Sequence, residues 1–301
     1  MSLSESNTSL ASRLSALAQR LGLGGRSPRL VFERARSLRL PFKALPIPPQ
    51  SIWWQAGPPL QRLVDLPRDA LSGPVQEDKA EARAVLMRVV SLEQQQLHDF
   101  DLREIDGLCG TPLADGQAFA SLEAFAATQP CRNVRIISYK DFLKTISMAM
   151  PRFLAAEAVE LRQASWYGRR LYWASEQHGE AFASAIVYAR LRGLEVTLPA
   201  QISRYRLNSQ GLAELKRQYH VLAMPVQAWS DPAFMGLLLD NGLPYSRLSL
   251  LRDNGAPEFI LLPRESAEAN ALGEGLRLAG APDVVDYLEQ LERRSATAPQ
   301  A

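Results

Sequence analysis

The sequence predicts an α/β or α+β fold, a mixed sheet flanked by helices, with a helical arm at the N-terminal end. Two observations carry this. From residue 159 onward, short strand-like runs alternate with stretches of helical period, and Gly, Pro or Asn mark the boundaries. Before residue 44, apolar residues recur at helical spacing, first at Leu10, Leu14, Leu17 and Leu21, then at Val31, Ala35 and Leu38. At 47% apolar and 22% charged residues, the chain can bury a sizeable core.

Ser9 and the glycines at 22, 24 and 25 bracket the first arm helix. Ser27 and Pro28 open a second, which runs to about Leu40 and stops at Pro41. Residues 1–43 hold eight cations against Glu5 and Glu33, a net +6 in a chain of +2 overall, so the rest is mildly acidic. Eight of the twenty prolines fall between 41 and 75, which rules out helix or central strand there. Composition therefore divides the chain into a basic arm (1–43), a Pro-rich connector (44–75), a body (76–294) with a candidate boundary near 150, and a disordered tail (295–301). The arm is expected to be separable from the body. Trp53 and Trp54 sit inside the connector, and two indoles are costly to leave in water, so it should pack along a surface.

In the body, 76–98 reads as a helix with Ala80, Ala84, Met87 and Val90 in one stripe. A short helix at 117–127, a strand at Arg135–Tyr139 and a helix at 141–149 follow. Val159–Ala164 and Arg170–Trp173, joined through Tyr167-Gly168, form a hairpin. A strong helix runs from Glu176 to about Arg192, ended by Gly193. Beyond a strand or loop ending at Pro199 come strands near 202–207, 220–226, 246–252 and 258–262, with helices at 209–219, 231–240, 264–279 and 283–293.

The signatures of common catalysts are missing. There is no phosphate loop, no nucleophile elbow and no His-Glu-x-x-His pair. Cys109 and Cys131 make no disulfide framework or zinc set and read as free thiols of a reducing cytosol. No run of about 18 apolar residues occurs, and Arg13 and Arg20 interrupt any signal core, so a cytoplasmic protein without a membrane-spanning segment is expected. Asp99, Asp101, Glu104 and Asp106 are a thin candidate for Mg²⁺, since oxygen ligands also crowd ordinary surface turns. His98 and His220 each follow an expected helix, where the dipole favours them as C-terminal caps. Trp166, Tyr167, Tyr172 and Trp173 read as core, with a partner platform as the alternative.

His178 is different. It lies in Glu176-Gln177-His178-Gly179-Glu180, at the mouth of the strongest helix, where a neutral imidazole could accept a proton or face a ligand. Cys109 or Cys131 could in principle pair with it as a nucleophile. The hairpin, this segment, the Ala-rich helix and Gly193-Leu194 resemble the nucleotide-pocket unit of the ParB/sulfiredoxin-like fold over about 35 residues. That resemblance implies a Mg-nucleotide near Glu176, His178 and Glu180, although Gln177 and Gly179 stand where the unit has basic residues. Separately, residues 51–59 (Ser-Ile-Trp-Trp-Gln-Ala-Gly-Pro-Pro) and 228–235 (Ala-Trp-Ser-Asp-Pro-Ala-Phe-Met) resemble an uncharacterised bacterial family associated with mobile genetic elements.

The leading functional expectation is a non-enzymatic interaction or accessory protein that meets a protein partner through Arg29, Arg34, Arg36, Arg39, Trp53 and Trp54. It needs no cofactor or metal. A nucleotide-binding protein at Glu176, His178 and Glu180 is the first alternative. A nucleic-acid-associated protein using the arginines of residues 1–43 is the second.

Overall fold

The computed structural model describes residues 27–110, 118–240, 242–251 and 255–297. The expected helix at 9–21 lies outside them. Helices in chain order are α1 (Pro28–Arg36), α2 (Gln76–Leu86), α3 (Leu122–Ala126), α4 (Gln129–Arg132), α5 (Tyr139–Ala149), α6 (Gly179–Arg192), α7 (Ser209–Gln218), α8 (Pro232–Asp240), α9 (Ala267–Leu278) and α10 (Val284–Thr297). Strands are β1 (Leu71–Ser72), β2 (Val90–Asp101), β3 (Gly107–Leu108), β4 (Val159–Ala164), β5 (Tyr172–Trp173), β6 (Thr197–Leu207), β7 (Tyr219–Met224), β8 (Ser246–Leu248) and β9 (Glu258–Pro263). The fold is α+β, with helices flanking two sheets, one of them mixed.

The chain forms two compact units, each drawn from separate stretches rather than divided near 150. The first takes Leu66–Leu86 and Ala213–Tyr287 with the described part of Met1–Leu45. Its sheet is antiparallel throughout, in the order β1-β8-β9-β7. All six residues of β7 are buried, so both faces of the strand are covered.

α1 packs into this unit: Val31, Ala35 and Leu38 are buried in one cluster with Leu222, Met224, Phe234, Ile260, Leu272 and Leu276. The stripe that made α1 amphipathic is the stripe that docks it. Gly275 of α9 makes the crossing close, since a Cβ there would lie 2.6 Å from the Ala35 Cβ and 2.7 Å from the Phe32 carbonyl oxygen.

His220 corrects an expectation. It caps no helix but sits fully buried in β7, with Nε2 2.8 Å from Asn270 Oδ1. Gly273 leaves room for the ring, because a Cβ there would meet it at 2.5 Å. Burial holds this imidazole below its ordinary pKa, against the opposing pull of the Asn270 bond.

The second unit takes Pro46–Asp65, Met87–Leu212 and the chain from Leu288 onward. Its sheet runs β2-β6-β4-β5-β3, with β4 parallel to β6 and antiparallel to β5. The alanines of α6 and the aromatic Phe182 cover Val159, Leu161, Trp173, Leu198, Ala200 and Ile202, and Phe142 and Ile146 of α5 join them.

The helix expected over 76–98 stops at Leu86, and 90–101 is strand. Tertiary pairing overrides local period here: β6 offers β2 a ladder from Leu207 to Thr197, which outweighs the weak preference of a glutamine run. His98 therefore lies on an exposed strand, not after a helix. Pro199 does not end β6, because the β2–β6 register shifts between Leu97 and Phe100 and Pro199 falls where the ladder is interrupted. No strand forms over Arg135–Tyr139. Ser138 and Asp141 instead make a reciprocal capping box that starts α5 at Tyr139.

Candidate functional site

With Val31 and Ala35 of α1 turned inward, Arg29 and Arg36 lie on the opposite, outer side and Arg34 on a flank, all three exposed, with Arg39 exposed just beyond. None of the four guanidinium groups has an ion pair or hydrogen bond among the described residues. Arg34 and Arg36 lie in the last turn, where the helix dipole favours cations. Glu33 shares the exposed side with Arg29 and Arg36, one turn from each, so the surface is basic with one acidic group inside it.

Trp53 and Trp54, expected at a partner surface, are core residues with 4% and 3% of their surface exposed. Trp53 meets Phe125 edge-on at 5.1 Å. Trp54 packs against Tyr167 and Tyr172 at 5.2 and 5.3 Å and against Tyr205 at 6.0 Å. Tyr167 Oη donates to the Trp54 carbonyl at 2.8 Å, and Arg170 Nη1 to the Ser51 carbonyl at 3.0 Å. The prolines thus hold an extended segment against the sheet edge, where Leu108 N donates to the Ile52 carbonyl at 2.7 Å. Trp166 and Trp173 are buried as well, the latter stacked on Phe182 at 3.9 Å.

Glu176 and His178 are exposed, and Glu180 is half-buried in the first turn of α6. His178 is the residue before the helix and adopts a left-handed backbone, φ 56° and ψ 35°, with no side-chain capping bond. Glycine takes this conformation freely, and among other residues His is, with Asn and Asp, one of those that adopt it more readily, at a modest backbone cost. Gly179 follows because a Cβ there would press Leu108 Cδ1 at 3.3 Å. No group of three or more His, Cys, Asp or Glu side chains able to hold a metal occurs among the described residues.

Cys109 is buried beside Arg162 and Glu176. Burial pushes its thiol up to about 12, with Arg162 opposing and Glu176 adding. Burial also raises Cys131. A thiol held protonated in this way is a poor nucleophile.

The acidic run is absorbed by local structure. Burial pushes the Asp101 carboxyl up, but bonds from Arg103 outweigh it and hold the group below its ordinary value. Asp106 Oδ2 accepts from Leu171 N at 3.0 Å. The long edge strand β2 was missed from sequence. Its only signal was the pair Val89-Val90 followed by Leu92, which a helical stripe also satisfies.

No described helix is long and apolar enough to cross a membrane. No curated protein and no solved structure matches the chain. A family model described as a family of unknown function, DUF6685, matches residues 95–301, a stretch that begins inside β2 and takes in every element from β3 to α10. Covering more than half of the 301 residues, this match shows that the chain belongs to the DUF6685 family.

Proposed function

We propose that this chain is a non-enzymatic interaction protein that binds an acidic protein partner through the exposed arginines of α1 and Arg39 just beyond it. One observation carries the reading: Arg29, Arg34 and Arg36 on α1 and Arg39 just beyond it are exposed, without an ion pair among the described residues, on a helix that its own core holds in place. Guanidinium groups so placed offer two-pronged bonds to carboxylates without first breaking an internal pair. Glu33 leaves a gap in the positive surface, which a rigid, evenly charged duplex tolerates less well than a flexible acidic chain whose carboxylates can pass around it.

Replacing the four arginines with Gln is expected to leave Tm within a few degrees, because exposed unpaired side chains contribute little to stability. Binding of polyglutamate, read by fluorescence anisotropy at low salt, should be lost in that variant. Short duplex DNA serves as the comparison. Polyglutamate binding that survives the four changes, or tighter binding of DNA than of polyglutamate, refutes the reading.

A second reading, a phosphate-bearing ligand at the mouth of α6, is supported by the backbone of His178. Strain at an exposed residue is a mark of function when nothing in the fold requires it. Glu176 and Glu180 would repel phosphate, so the ligand must arrive with a divalent cation. His178→Gly relieves the left-handed backbone and should stabilise the protein by about 1 kcal/mol in urea unfolding. Under this reading it should also abolish any Tm increase produced by Mg-nucleotide. A wild-type protein whose Tm does not move with Mg-nucleotide removes the reading.

A further inference from the structure

Three of the four sheet edges are short or closed. β1 and β3 have two residues each, and β3 is bridged on by Trp53. β7 is closed by the Leu222–Asp283 bridge and by Ala223 N donating to the Pro282 carbonyl at 2.9 Å. β2 has neither protection. It runs twelve residues, pairs among the described residues only with β6, and exposes Ser91, Leu92, Glu93, Gln94 and Gln96. Long open edges invite another strand.

The outward groups follow from the register. Val89 stands opposite Asn208, and Asn208 N donates to the Val89 carbonyl at 2.9 Å. In an antiparallel ladder, bonded pairs alternate, so odd-numbered residues face β6 up to the bulge. Leu92, Gln94 and Gln96 therefore turn N–H and C=O away from the sheet, and these groups have no hydrogen-bond partner among the described residues.

We propose that β2 pairs antiparallel with β2 of a second copy of this chain, across a two-fold axis at Gln94. An axis perpendicular to a sheet sets one residue opposite itself, so few registers exist. Centring on Glu93 sets two carboxylates face to face, and centring on Gln96 sets Glu93 against Asp99. Centring on Gln95 uses only Gln94 and Gln96 before the bulge, for about four backbone bonds. Centring on Gln94 keeps every pair from Ser91 to Leu97 inside the straight stretch and gives about six. It opposes Glu93 to Gln95 and Leu92 to Gln96, with no like charges in contact. Gln94 Oε1 already accepts from Gln201 Nε2 at 3.2 Å, which leaves the Gln94 Nε2 donor for its counterpart. The proposal is independent of the exposed arginines of α1, which lie in the other unit.

Sedimentation equilibrium of the full chain over a concentration series should show a reversible dimer. Gln94→Lys sets two ammonium groups against each other and should weaken that dimer at least about tenfold, as should Gln94→Glu. Mixing the two variants should restore it through opposite charges. Far-ultraviolet circular dichroism, unchanged in both, shows that these exposed substitutions leave the fold intact. A monomer at every concentration, a dimer that Gln94→Lys leaves unchanged, or a mixture that stays monomeric overturns the proposal.

Discussion

Gly275→Val is expected to cost about 3 kcal/mol or more and to lower Tm by about 5 °C or more. A Cβ at this position would lie 2.6 Å from the Ala35 Cβ, 2.7 Å from the Phe32 carbonyl oxygen and 3.1 Å from the Arg36 amide nitrogen. Two of those three atoms are backbone, so no side-chain rotation makes room and α1 must move as a whole. Moving it re-exposes Val31, Ala35 and Leu38. A buried Val or Leu is worth about 1.5–3 kcal/mol, more than the roughly 0.5 kcal/mol of helix propensity gained by losing a glycine. Thermal unfolding by circular dichroism reads the outcome. An unchanged melt would show that α1 rests loosely on α9. Set beside the arginine-to-Gln variant, the pair separates what the buried stripe of α1 does for stability from what its exposed arginines do for the proposed binding.

Trp54→Ala should cost about 3–5 kcal/mol, the range for deleting a buried large aromatic. Its indole touches three tyrosines, and each aromatic pair adds about 0.5–1.5 kcal/mol beyond area burial. Its carbonyl also receives the Tyr167 hydroxyl, so the segment is tied at backbone and side chain together. Urea unfolding checks this. A loss under about 1 kcal/mol would return Trp54 to the role of a surface contact.

Elements whose signals are local were legible in the sequence. β4 spans the same six residues that alternation marks out, Val159–Ala164, and Gly168 turns the chain behind it at φ 78°. Gly193 ends α6 with φ 59°, as a helix-stopping glycine should. What depended on distant partners was not legible. The amphipathic stripe of α1 was plain, but nothing near it names α9 as the surface it covers. β2 owes its extended form to β6, a hundred residues onward, so a glutamine-rich run beside a helix was read as more helix. At the candidate site, the place of His178 before α6 was readable, whereas its left-handed backbone was not, because the glycine beside it is the residue expected to take that conformation. The arginines were found by charge alone. That their outward display depends on a buried stripe emerges only once the stripe has a partner.

The crossing of α1 with α9 also sets a clock. Roughly 240 residues separate Arg36 from Leu278, so a ribosome adding about 5–20 residues per second needs on the order of 12–50 s between finishing one helix and finishing the other. For that interval the nascent chain carries Val31, Ala35 and Leu38 without their native cover. A short amphipathic arginine-rich segment in that state is a natural ligand for chaperones that hold unfolded chains. Its arginines keep it in solution while the stripe waits, so charges that the finished protein displays on its surface also guard the segment during synthesis.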